Sequence, residues 1–211
     1  MAQISSKFCR KYLYKNFKQS GFTISHMSYD IKLCKIMDKR QIFEYIVYRL
    51  DEWKNEIGSD KVPVFTKLRL QKILFLICAW NASKDNLKLL KIFNRFYALP
   101  YGPVELDIYE AMKHKSTFKH LYFEGNNCVY ETLSLSMFKG IPTEVKETVD
   151  NAIDSFITDG RKYLTMPVFD LVNITHKWTA WRISMEIAKF LGGRMEEMST
   201  MDICNSINKE F

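Results

Sequence analysis

No apolar stretch in the chain approaches the roughly 20 residues a membrane span needs; the longest unbroken run is Ile73 to Trp80. The basic N-terminus lacks the apolar core of a secretory signal, so the expected location is cytoplasmic. Five cysteines are scattered along 211 residues, with no pair at the spacing of a zinc knuckle or a redox dithiol. Reduced thiols are therefore expected, with no metal and no cofactor. The glycine-rich phosphate loops, the zincin histidines and the nucleophile elbow are all missing. His114 and His120 are not at the i, i+4 spacing that would bring two imidazoles onto a metal, and His26 lies in the basic N-terminal stretch. No catalytic motif remains, and the chain reads as a non-enzyme.

What is present is ordinary for a soluble globular domain: 47% hydrophobic and 26% charged residues. The net charge of +7 is unevenly spread. Residues 1–36 hold seven basic groups and one acid, whereas the rest carries 24 basic against 23 acidic. The organisation is thus a basic N-terminal arm, 1–36, followed by a near-neutral domain, 37–211. The arm, with its interleaved Phe and Tyr, could grip an acidic partner or nucleic acid. The blander reading is a poorly ordered extension, or a translated leader with the natural start at Met37. A near-neutral body does not carry the basic footprint of a nucleic-acid-binding fold.

Periodicity defines the body. Ile42, Phe43, Ile46, Leu50, Trp53 and Ile57 recur every three or four residues, with Asp38 as cap and Gly58 as stop. Thr66 can cap the next helix, which is apolar nearly all round and belongs in the core. Its first two turns carry Lys67, Arg69, Gln71 and Lys72 and read as wet. "LYFEGNNCVYE" reads as a hairpin. Val145, Val149, Ala152, Ile153 and Phe156 form the inner face of a helix ending at Gly160. Thr165 to Thr175 and Trp178 to Leu191 read as two further helices, and Thr200 caps a last one through Ile203 and Ile207. The fold class is mainly α, a compact helical domain with one small β-hairpin.

Two segments invite a functional reading. In "FYALPYGPVELDIYEAM", Pro103 suits a first helical turn, so Tyr101-Gly102-Pro103 reads as a turn leading into a helix. Tyr97 and Tyr101 add amphipathic rings that could serve recognition. In "FDLVNITHKWTAWR", His176 and Trp181 could be anchors in a partner groove, a helix corner, or a base oriented by Asp170 or Glu186.

"TKLRLQKILFLICAW", "FYALPYGPVELDIYEAM" and "LVNITHKWTAWR" stand in an order and spacing that resemble the Panacea domain, the SocA-like antitoxin family of bacteria and phages. The correspondence runs through Leu70-Gln71-Lys72, Phe96 to Val104, and Thr175-His176 with Trp181, over about residues 38 to 191. The resemblance implies a mostly helical antitoxin that binds and neutralises a protein toxin encoded beside it. It implies neither a toxin class nor any catalytic residue. The partner-binding candidates are Tyr97, Tyr101, Gly102, Pro103, His176 and Trp181. Two other functions stay open: a nucleic-acid-binding regulator using the arm, and an adaptor delivering a partner protein for proteolysis.

Overall fold

The computed structural model describes residues 38–206, apart from 81, 85 and 161. The basic arm, 1–36, and the expected extension of the last helix through Ile207 lie outside the described residues. Helix α1, Lys39–Ile57, starts where the Asp38 carboxylate accepts from the Arg40 N–H and stops at Gly58. Its apolar stripe is buried, Ile46, Val47 and Leu50 included. Helix α2, Lys67–Ala79, is capped by Thr66, whose hydroxyl accepts from the Arg69 N–H at 3.2 Å. Every residue from Arg69 to Ala79 is buried.

Strands β1, Phe96–Leu99, and β2, Gly102–Glu105, form a tight antiparallel hairpin in which Leu99 faces Gly102 across the Pro100-Tyr101 turn. Helix α3, Leu106–Ala111, follows directly, capped by the Glu105 carboxylate. This corrects the expectation that Pro103 opens a helix: it lies within β2, opposite Ala98. Proline is tolerated there because β2 is an edge strand, paired on one side only, with β1.

A second hairpin pairs β3, Tyr122–Glu124, with β4, Asn127–Val129, where expected. Three helices then follow: α4, Thr143–Gly160, α5, Lys162–Thr165, and α6, Val168–Thr175. The break between α5 and α6 falls at Pro167, so Thr165 closes one helix instead of opening the next. Helix α7, Thr179–Phe190, is followed by β5, Glu196–Glu197, which pairs with β1. The last helix, α8, Thr200–Asn205, is capped by Ser199 instead of Thr200. The domain is mainly α, and its β content exceeds the single hairpin expected, because β5 returns to complete a three-stranded sheet.

The strands and helices around the Pro100-Tyr101 turn share one core. Helix α2 packs on β2, α4 and α6, while α7 covers β1. Phe75 of α2 makes edge-to-face contacts with Phe96 of β1 and with Trp178 at the head of α7, each at 5.3 Å between centroids. No helix among the described residues is long and apolar enough to cross a membrane.

Candidate functional site: a turn clamped through its backbone

The polar residues of α2 are the largest departure from expectation. Arg69, Gln71 and Lys72 are not wet; they are buried, Lys72 completely. Burying such groups is costly unless each is hydrogen-bonded, and each of the three reaches a backbone group. Arg69 donates to the carbonyls of Leu164 at 3.1 Å and Met166 at 2.6 Å, holding the α5–α6 junction. Gln71 works along the free edge of β2. Its Oε1 accepts from the Glu105 N–H at 2.9 Å, and its Nε2 lies 3.4 Å from the Glu105 carbonyl. Lys72 Nζ donates to the Pro103 carbonyl at 2.6 Å. Side chains of α2 thus take the place of a missing strand beside β2.

The late segment grips the same turn from the other side. The Trp181 indole N–H donates to the Leu99 carbonyl at 3.0 Å. The His176 ring hydrogen-bonds the Pro100 carbonyl and lies flat on Trp181, with centroids 3.7 Å apart and planes within 8°. Four side chains, from Gln71, Lys72, His176 and Trp181, therefore hold the backbone between Leu99 and Glu105. These bonds go to backbone atoms of that segment, so they fix where it runs and leave the Tyr101 ring outside the clamp.

Gly102 is the closest point of the clamp. Its φ is +91°, and a Cβ built on it would sit 2.5 Å from Thr175 Oγ1 and 3.0 Å from Lys72 Nζ. Thr175 cannot easily give way, being fully buried with its hydroxyl bonded to the Val172 carbonyl at 2.8 Å. Glycine is required here on both counts, backbone geometry and space.

Electrostatics follow burial. Loss of solvation pushes the Lys72 ammonium down to about 7. His176 is also held below its ordinary value, by desolvation and then by the Lys72 charge, against the pull of the Pro100 carbonyl. The helix-end position of His176, which alone would favour its charged form, is overridden. Its Nε2 is buried with no hydrogen-bond partner among the described residues. Among the described residues no hydrogen bond joins Asp170 or Glu186 to the ring, which stacks on Trp181 and meets the Pro100 carbonyl.

Of the six candidates, the structure gathers five: Tyr101, Gly102, Pro103, His176 and Trp181. Tyr97 goes elsewhere, its hydroxyl donating to Glu197 Oε2 at 3.2 Å across the β1–β5 pair. Tyr101 is the displayed member, 64% exposed. Beside it stands Phe169 of α6, 62% exposed, with ring centroids 6.5 Å apart. A groove of about 590 Å³ opens next to Tyr101, lined by Leu68, Leu99, Val104, Tyr109 and Val168 among others.

Phe169 escaped the sequence reading because it sits among residues of α6 that are buried, Leu171 and Val172. Gln71 and Lys72 carried a usable signal, two adjacent polar residues inside an otherwise apolar helix.

Residues 70–182 match the family model described as Antitoxin SocA-like, Panacea domain. The match spans more than half of the chain and includes every clamp residue, and the chain belongs to this family. Neither a curated protein nor a solved structure matches the chain.

Proposed function

We propose that this protein is an antitoxin that binds a protein toxin encoded beside it and neutralises it by direct contact, without catalysing a reaction. Family membership supports the antitoxin role. The observation that carries the mode of action is the exposed Tyr101–Phe169 pair on a turn whose backbone is pinned by four side chains. Binding loses little entropy when the anchoring ring is already positioned, because the turn need not be ordered on association. Large aromatic side chains on a fixed scaffold are the usual centres of interface energy.

His176 and Trp181 act in this reading as positioning residues. Stacked together and bonded to the turn, they set the place of Tyr101 without themselves being the exposed contact. Gly102 and Pro103 likewise shape the turn.

The test is co-expression with the product of the adjacent gene. Wild type should restore growth to cells expressing that product and should co-purify with it. Tyr101→Ala should fold normally yet lose both effects. An adjacent product that is harmless alone, or never co-purifies with wild type, overturns the proposal.

A further inference from the structure

The groove beside Tyr101 has a chemistry of its own. No acidic residue lines it, whereas two lysines do, Lys67 and Lys113. Lys113 is already engaged: its Nζ is 2.7 Å from Glu110 Oε1 and lies over the Tyr109 ring at 4.8 Å. Lys67 has no carboxylate partner among the described residues; its ammonium lies 5.7 Å from the centroid of Phe123. Its backbone is fixed, the N–H donating to the Asn126 carbonyl at 2.8 Å while Thr66 bridges to Asn127. An apolar trough, an exposed tyrosine at its edge and a rigidly mounted unpaired cation form one continuous surface.

We infer that this groove receives a segment of the toxin carrying a large apolar side chain with an Asp or Glu next to it. The apolar side chain enters between Tyr101 and Tyr109, and the carboxylate pairs with Lys67. The volume lies within the range of about 300–1,000 Å³ typical of sites that enclose a compact ligand group. The apolar lining supplies burial, and the unpaired lysine selects an acidic neighbour and orients the segment. A second copy of this chain is a poorer occupant. Its own exposed apolar stripe, Ile183, Ile187, Phe190 and Leu191, is flanked by Arg182, Lys189 and Arg194, and the one acid on that helix, Glu186, is already paired with Lys189. Nucleic acid is disfavoured because most of the lining is apolar.

The inference rests on the reading that the Tyr101 surface faces the toxin, and the experiment separates the two. The purified product of the adjacent gene is titrated with full-length wild type, Tyr101→Ala, Lys67→Glu, Lys67→Met and Val168→Trp, each checked by thermal melting. Lys67→Glu and Val168→Trp are expected to weaken binding by about 30-fold or more at unchanged melting temperature. Added salt should weaken wild type more than Lys67→Met. One Asp→Lys or Glu→Lys change in the toxin should restore binding to Lys67→Glu.

If wild type binds and Tyr101→Ala does not, but both groove variants bind within twofold of wild type, the groove assignment is wrong and the antitoxin reading stands. If wild type fails to bind the adjacent product at all, both fall. A 20-nucleotide single strand whose binding is lost in Lys67→Glu would overturn the inference in favour of nucleic acid. A concentration-dependent dimer lost in Lys67→Glu would overturn it in favour of self-association.

Discussion

Replacing Gly102 by alanine adds a single methyl group at the tightest point of the clamp. Two costs combine. At φ +91° an L-residue is strained, by about 1–2 kcal/mol. The new Cβ would also lie 2.5 Å from Thr175 Oγ1 and 3.0 Å from Lys72 Nζ, two atoms already committed to hydrogen bonds. Forcing a methyl into such a site costs about 1–3 kcal/mol more. The expected total is about 3 kcal/mol, or roughly 6–12 °C in melting temperature for a domain of this size. Urea unfolding of Gly102→Ala, Thr175→Ala and the double variant separates the two costs. Thr175→Ala alone loses a hydroxyl bond and some packing, about 1 kcal/mol. In the double variant the collision with Oγ1 is gone while the backbone strain persists, so the two changes should couple favourably by about 1–2 kcal/mol. Additive effects, or a Gly102→Ala cost below about 0.5 kcal/mol, would refute the close approach on which the clamp depends.

Two further outcomes probe the clamp. Lys72 has a folded-state pKa of about 7 against an ordinary value of 10.5, so between these values the unfolded chain holds the proton more often than the folded one. The stability contribution of this group therefore rises with pH across that window and falls as pH drops toward 7, by at most about 1.4 kcal/mol per pH unit. The unfolding free energy of wild type minus that of Lys72→Met should grow by about 1–2 kcal/mol from pH 7.5 to 9; a flat difference would place the lysine in a wetter site. Gln71→Leu strands the buried Glu105 N–H and weakens the edge of β2, and should cost about 2–4 kcal/mol in urea unfolding; a loss under about 0.5 kcal/mol would mean that Gln71 does not brace that strand.

Much of the architecture was legible from local pattern. The stripe of α1 with its Asp38 cap and Gly58 stop, the Thr66 cap of α2, and the inner face of α4 each rest on contacts within a few residues of chain. The hairpin at Gly125-Asn126 was legible for the same reason. The three-stranded sheet was not, because β5 contributes two residues and pairs with β1 across about 100 residues of sequence. Pro103 further disguised β2, since its lack of an N–H suits a helix start as well as an edge strand. The clamp was hidden differently. Gln71 and Lys72 look like surface residues by type, and it is the backbone N–H and carbonyl groups of a distant hairpin that offset the cost of their burial. The sequence pattern singles out the turn and the His176–Trp181 pair, without separating the side chains that hold the backbone from the ring that is held out. Tyr97 shares its ring type with Tyr101, but alternation along β1 sends it toward Glu197.

The division of labour between clamp and displayed ring is tested most directly by calorimetric titration of the adjacent gene's product with wild type and with Tyr101→Ala, beside thermal melts of both. Loss of a preorganised aromatic anchor should weaken binding by about 2 kcal/mol or more, roughly 30-fold, with the melting temperature shifted by no more than about 2 °C. Equal affinity for the two proteins at equal melting temperature would show that the turn is only architecture and that the toxin, if bound, is held elsewhere.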